Sequence, residues 1–330
     1  MSTAKYKIYL PGGMKSSLEN DAELFEFYKP NGEVNLNGFL KSLLVNYFDM
    51  YSEKRTRQHK AVVDEIGAAT SVKNQEAEEL ASKILEIYKD AGSDSIVKSS
   101  TVTLTVSGRA YDVLGMIEQS LYGTYSLSQY VRNLLSSYLS APRSMRERII
   151  FSAQYDEINR AIKGGRTLSL STSTFPERIY SVCPYSVTAS KEEQYNYLLC
   201  YDIEKDAVRS FRLSRIRKLF AQTQSFQLDD RIIDKLKMAE DKGPQFAFES
   251  LERSCVQLTE EGKRKFRMIY TNRPEVVEKR GNMYFFEWPL MQLEEYFKRF
   301  GKDAELIEPA AGYDYLEKFY EDAYQKYKSE

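Results

Sequence analysis

Between Arg209 and Lys218 the chain places Arg209, Arg212, Arg215, Arg217 and Lys218 with no acidic residue among them. Guanidinium groups hold phosphates through paired N–H donors and stack on flat rings. Upstream, Tyr185 and Tyr197 offer aromatic faces for bases. Stacking beside a positive groove is the usual chemistry of single-strand binding, worth about 1–3 kcal/mol per stacked base. The same arginines could instead pair with nearby carboxylates, and the tyrosines could simply pack. The sequence leaves both uses open.

Little else in the chain suggests reaction chemistry. The 330 residues include one histidine, His59, and three cysteines, Cys183, Cys200 and Cys255, none in a C-x-x-C pair. A zinc site needs about four closely spaced N/S ligands, and a histidine-dependent triad would rest on His59 alone. No P-loop, no Rossmann-type glycine fingerprint and no G-x-S-x-G are present. The expectation is therefore a protein without metal or cofactor that is not an enzyme. Net charge is -1, so a nucleic-acid site must be a local patch. Unpaired cysteines, no signal peptide and no apolar run of about 18 residues point to a soluble, cytoplasmic protein without membrane contact.

The elements that must carry these residues begin with a repeat. Residues 35–48 (NLNGFLKSLLVNYF) and 126–139 (SLSQYVRNLLSSYL) align, Leu36 with Leu127, Phe39 with Tyr130, Lys41 with Arg132 and Tyr47 with Tyr138. Apolar positions in both follow helical spacing, and Ser126 with Gln129 makes a capping box. Before each helix stands an alternating segment, Lys5–Leu10 or Thr101–Val106, which reads as a strand. A shorter helix follows each strand, roughly Asp21–Tyr28 and Arg109–Tyr122, with breaks at Pro30-Asn31-Gly32 and Gly123-Thr124. Residues 53–91 form a mostly helical connector that starts with Lys54, Arg55, Arg57, His59 and Lys60 and ends at Gly92-Ser93-Asp94-Ser95.

Strand, helix, helix, twice over, resembles the ribbon-helix-helix family, in which two such units pair their strands into an antiparallel ribbon. Here both halves would come from residues 1–141 of one chain. The resemblance implies that the ribbon enters the DNA major groove and that the second helices start on phosphates. Its outward positions would be Lys5, Lys7 and Tyr9 from one strand and Thr101, Thr103 and Thr105 from the other, with Asn35 and Ser126 at the helix starts. The second strand lacks the Arg, Lys, Asn or Gln that usually reads base edges, so its threonine face could be merely solvated.

After Pro142 a helix is expected over Arg146–Ile162, ending at Gly164-Gly165. Short strands follow at Thr167–Ser171, Arg178–Ser186, Tyr195–Tyr201 and Val208–Leu213, a pattern that suggests a small barrel. Three blocks, Pro184–Val187, Tyr197–Asp202 and Arg209–Ile216, resemble in order and spacing a WYL domain covering about residues 148–220. That family implies an Sm-like β-barrel that binds nucleic acid or a regulatory ligand through a basic, aromatic face. The tryptophan of the family's namesake triplet is Asn196 here, so stacking at that place falls to the tyrosines. Phe211 and Leu213 share one strand face, which leaves Arg212 on the other.

Residues 221–262 read as a connector with a helix near Leu228–Asp241. A strand over Lys263–Thr271, a strand at Met283–Glu287, a helix at Pro289–Phe300 and a strand at Ala304–Ile307 follow. The stretches Phe297–Gly301 and Glu305–Pro309 resemble the α/β extension that often follows WYL domains and serves dimer contacts. A last helix, about 313–328, carries Tyr313, Phe319, Tyr320, Tyr324 and Tyr327, a packing stripe within the subunit or across a homodimer.

The expected fold is α+β. It comprises a tandem ribbon-helix-helix pseudo-dimer (1–141), an Sm-like WYL β-barrel (142–220) and a small C-terminal α/β extension (221–330). This combination is similar to the accessory proteins of type VI-D CRISPR systems. The similarity implies single-stranded RNA and an RNA-guided effector ribonuclease as partners. The alternative is a WYL transcriptional regulator whose ribbon binds duplex DNA and whose WYL domain senses a ligand. A nuclease is a poor third reading, since no metal-binding carboxylate cluster is visible.

Overall fold

The computed structural model describes residues 3–90, 100–121, 126–190, 194–244 and 253–328. The first alternating segment is β1 (Thr3–Leu10), followed by α1 (Met14–Leu24), α2 (Leu36–Ala69) and α3 (Asn74–Asp90). Then come β2 (Ser100–Ser107), α4 (Arg109–Ser120) and α5 (Leu127–Leu139). β1 and β2 pair antiparallel along their whole length, Lys5 opposite Thr105, Lys7 opposite Thr103 and Tyr9 opposite Thr101. Strand alternation sends Ile8, Leu10, Val102, Leu104 and Val106 into the core and leaves Lys5, Lys7, Tyr9, Thr101 and Thr103 exposed. Thr105 is half-buried.

The repeat is visible in the packing. Phe39, Leu40, Leu43, Leu44 and Tyr47 of α2 are buried, and Tyr130, Val131, Leu134, Leu135 and Tyr138 of α5 are buried at the matching positions. Asn35 caps α2 by accepting the Gly38 N–H at 2.9 Å, and Ser126 caps α5 by accepting that of Gln129 at 3.2 Å. Two residues beyond each cap, the helices hold the opposite copy's strand. Asn37 Nδ2 donates to the Thr105 carbonyl at 3.1 Å, and its Oδ1 accepts the Thr105 N–H at 2.9 Å. Ser128 Oγ accepts the Tyr9 N–H at 3.4 Å, and Arg132 Nε donates to the Tyr9 carbonyl at 3.1 Å. These contacts satisfy edge groups that a two-stranded ribbon leaves unpaired.

Two expectations about this half change. α1 starts at Met14 rather than Asp21, because Gly13, at φ 80, turns the chain directly out of β1. The helix is over before Glu26, which sits at φ 61, so the segment to Tyr28 is not helical. α2 runs unbroken into the connector, and α3 folds back on it with His59 Nε2 3.1 Å from Ser82 Oγ. Tyr122, Gly123-Thr124 and residues 92–95 lie outside the described residues.

Next come α6 (Arg143–Ile150) and α7 (Ser152–Lys163), one helix in expectation, separated at Phe151 (φ -111, ψ 35). Five strands follow: β3 (Arg166–Thr172), β4 (Tyr180–Ala189), β5 (Asn196–Asp202), β6 (Ala207–Arg212) and β7 (Ile216–Ser225). They form one antiparallel sheet in the order β6-β5-β4-β3-β7, and α8 (Asp230–Lys242) packs on its β5 side. The expected barrel is not closed by strand pairing. β6 and β7, consecutive in the chain, lie at opposite edges, and the single 3-10 turn Leu213–Arg215 carries the chain between them. β7 itself escapes sequence reading because, apart from Ile216 and half-buried Leu219, its residues are exposed and show no alternation.

The contacts divide the chain into two units, Met1–Pro244 and Gln245–Glu330. The second contains β8 (Arg253–Leu258), α9 (Glu260–Met268), β9 (Val276–Arg280), β10 (Met283–Glu287), α10 (Leu290–Phe297), β11 (Ala304–Glu308) and α11 (Ala310–Lys328). Its sheet order is β11-β8-β10-β9, over an aromatic core of Phe266, Phe286, Tyr296, Phe297 and Phe300. The strand expected over Lys263–Thr271 is largely helix α9. Thr259 Oγ1 caps that helix by accepting the Gly262 N–H at 3.0 Å, with Glu260 and Glu261 in the first turn. Phe266 is buried while Met268 and Tyr270 are exposed, so their alternation marks no strand face. On α11, Tyr320 is half-buried, whereas Tyr313, Phe319, Tyr324 and Tyr327 are exposed. The chain is thus a mixed α+β protein with three antiparallel sheets among the described residues.

Candidate nucleic-acid interface

Asn196, in place of the family's tryptophan, is fully buried at the start of β5. Its Oδ1 accepts from Arg148 Nε at 2.7 Å, and its Nδ2 donates to the Ser144 carbonyl at 2.7 Å and to Glu147 Oε2 at 2.8 Å. The Asn196 backbone N–H donates to the same Glu147 oxygen at 2.6 Å. Glu147 Oε1 accepts the Ser214 N–H at 3.1 Å and lies 3.9 Å from Arg212 Nε. Burial pushes the Glu147 carboxyl above its ordinary value, against the pull of these donors. An amide here does what an indole could not: its side chain ties α6 to the sheet through three hydrogen bonds, beside the one from its backbone N–H.

The arginine run is largely engaged. Arg209 Nε stands 2.7 Å from Asp202 Oδ2, a buried carboxylate. Arg212, with an 11% exposed side chain, stacks its guanidinium 3.3 Å from the centroid of Tyr195 and donates to the Leu24 carbonyl at the end of α1. Arg215 Nε donates to Glu26 Oε1 at 2.8 Å, and Arg217 Nη2 to Glu26 Oε2 at 3.2 Å. The expectation that Arg212 faces solvent is therefore corrected. Its strand face is covered by the end of α1, and its charge is spent inside the protein. Arg215 and Arg217 keep side-chain exposures of 47% and 40%.

Tyr197 pairs across the sheet with Arg212 and packs half-buried on the core. Tyr185 lies elsewhere, half-buried at the bulge after Pro184, where burial and then Glu240 and Asp241 of α8 raise its phenol. Two carboxylates beside it make a poor phosphate neighbourhood. Sequence reasoning missed Glu26 and Ser173, which share the arginine pair, and two exposed rings. Phe220, 62% exposed, lies on β7 with exposed Lys218 on the same face, and Phe175, 59% exposed, follows Ser173. Only the strand assignment of β7 could have flagged Phe220.

Lys5, Lys7, Tyr9, Thr101 and Thr103 share the exposed ribbon face as expected, with Thr105 half-buried at its margin. Among the described residues, no group of three or more His, Cys, Asp or Glu is placed to hold a metal ion. Cys183, Cys200 and Cys255 are buried as free thiols, and no helix among the described residues is long and apolar enough to cross a membrane.

Residues 153–221 match the family model of the WYL domain. No curated protein sequence matches the chain. Among solved structures it is similar to a CRISPR Cas-related protein, at TM-score 0.77 and 21% identity, over 100% of this chain and 95% of that one. At that identity the likeness establishes a shared fold. A partial likeness to proteasome accessory factor B/C (PafBC) of Arthrobacter aurescens, at TM-score 0.30 and 17% identity, spans 65% of this chain and 35% of that one, too weak to argue from. The segment 153–221 is a WYL domain, carried in a chain whose fold a CRISPR Cas-related protein shares.

Proposed function

We propose that the chain is a single-stranded RNA-binding accessory protein that stimulates a type VI-D CRISPR RNA-guided ribonuclease and performs no bond cleavage itself. The observation that carries the reading is the composition of the open WYL surface. Half-exposed Arg215 and Arg217 stand with exposed Lys218 and Phe220 at and after the start of β7. Cations beside unburied rings suit a flexible strand whose bases are free to stack. The whole-chain likeness to a CRISPR Cas-related protein supports the CRISPR setting. On this reading the ribbon is a ribbon-helix-helix pseudo-dimer, the sheet is an opened Sm-like barrel, and residues 253–328 serve homodimer contacts. The protein would act in the cytoplasm, where the ribonuclease works.

One specific observation favours a second reading, a regulator on duplex DNA. The outward ribbon face with Lys5 and Lys7, and the helix starts of α2 and α5 beside it, support that reading.

The test is to add the purified chain to an RNA-guided ribonuclease of this type and follow target-RNA cleavage. Faster cleavage with the chain, and none by the chain alone, is the expected result. No change in rate sinks the accessory role, and cleavage by the chain alone sinks its non-enzymatic character.

A further inference from the structure

Glu26 is an unusual occupant for the arginine pair. It is a side-chain-bearing residue in the left-handed backbone region, at φ 61, where only the surrounding contacts keep it. Its carboxylate takes three converging donors: Ser173 Oγ at 2.7 Å, Arg215 Nε at 2.8 Å and Arg217 Nη2 at 3.2 Å. Each donor is aimed by the fold. Ser173 and Arg215 are joined by the Ser173 N–H donating to the Arg215 carbonyl at 2.8 Å. Arg217 is the extra residue of a β-bulge, since Ser171 pairs with Lys218 and Thr172 with Ile216. Bulges of this kind re-aim a side chain out of the ladder.

Two guanidiniums and a hydroxyl around one anion make the donor set that a phosphate takes, and both guanidiniums remain approachable from solvent. Phe175 follows Ser173 by two residues and exposes 59% of its surface.

We infer that Ser173, Arg215 and Arg217 form a nucleic-acid phosphate site that Glu26 fills in the free protein, so that an RNA phosphate must displace Glu26 to bind. The inference rests on the RNA reading above and adds its regulation. Burial pushes the Glu26 carboxyl up, but the Ser173 bond and the two arginines outweigh it and hold it below its ordinary value. Glu26 is therefore ionised at neutral pH and competes as an anion. Arg212 keeps its own hold on the Leu24 carbonyl, so α1 stays anchored when Glu26 swings out.

The experiment is fluorescence anisotropy of the full chain with a labelled uridine oligonucleotide, across a salt series. Glu26→Gln should bind about fivefold to tenfold tighter at low salt, with the salt slope steeper by about 0.7 for each phosphate gained. Arg217→Ala in that background should abolish the gain, and Glu177→Gln, which removes a carboxylate from the neighbouring exposed loop, should give at most a small one. A Glu26→Gln variant no tighter than Glu177→Gln, or a gain that survives Arg217→Ala, overturns the site. If wild type binds the RNA and Glu26→Gln adds nothing, the site falls and the RNA reading stands. If no variant binds RNA while all bind duplex DNA, both fall. A thermal melt shows each variant folded. Should Glu26→Gln not fold, Glu26→Asp replaces it, and its shorter reach should still tighten binding.

Discussion

On the ribbon, Lys5 and Lys7 stand among Tyr9, Thr101 and Thr103 on an exposed strand face, whereas on the WYL sheet Arg209, Arg212, Arg215 and Arg217 each end on a carboxylate or a carbonyl. Sequence alone ranks these surfaces the other way, because it counts five cations in the WYL run and two in the first strand. The difference lies in what packs on each. Among the described residues nothing covers the outer ribbon face, while the chain at and after the end of α1 brings Leu24 and Glu26 onto the sheet. Much of the WYL charge joins the helical half to the sheet, and only its rim is left for a ligand.

The largest effects should come from breaking the buried pair that ties α1 to α6, and then the joint itself. Arg146 grips the buried Asp21 with two bonds, Nε to Oδ2 at 2.7 Å and Nη2 to Oδ1 at 2.9 Å, and the Tyr138 hydroxyl donates to the same carboxylate at 3.0 Å. Asp21→Ala leaves a partly buried guanidinium without its counter-ion and should lower unfolding free energy by about 3–5 kcal/mol in a urea titration. Arg212→Ala should cost about 2–3 kcal/mol, through its lost bond to Leu24 and its stack on Tyr195. If Arg212→Ala keeps wild-type stability, the arginine is not structural and the contrast collapses. Arg217→Ala, half-exposed, should cost under about 1 kcal/mol.

On the ribbon the signs reverse. Lys5→Ala with Lys7→Ala should leave the melting temperature unchanged. If the ribbon touches phosphates, the pair should reduce the salt slope of duplex binding by about 1–2. An unchanged slope would mark that face as solvated scaffold.

A smaller effect follows from the two carboxylates at the joint. Glu26 is held below its ordinary value of 4.5, so its contribution to stability is present above that pH and fades as pH falls through the lowered value. Glu147 is shifted upward, so its contribution is greatest in acid and lost as pH rises through the raised value. Glu26→Gln should flatten the loss of stability below about pH 4.5, and Glu147→Gln should remove the gain that Glu147 supplies as pH falls toward about 4.5 from above. Identical acid limbs in both variants would remove these two groups from the pH response.

The repeat was legible because its helices bury matching positions, Phe39 with Tyr130 and Tyr47 with Tyr138, in the period that buries one face. The ribbon was legible for the same reason in period two. The WYL blocks were legible as motif, but the fate of their arginines was not. Glu26 lies 189 residues from Arg215, and no local pattern links them. β7 and α9 were missed where exposure, or a stray apolar alternation at Phe266, Met268 and Tyr270, overrode local signals. The cap at Thr259 with Glu260 and Glu261 was available and outweighs that alternation.

The most direct test of the central proposal is a competition between unstructured RNA and duplex DNA of equal length for the purified chain, followed across a salt series. RNA should bind tighter at every salt concentration and lose affinity steeply as salt rises, with Arg215→Ala plus Arg217→Ala weakening RNA and sparing the duplex. Tighter, sequence-selective binding to the duplex, lost with Lys5→Ala and Lys7→Ala, would contradict it.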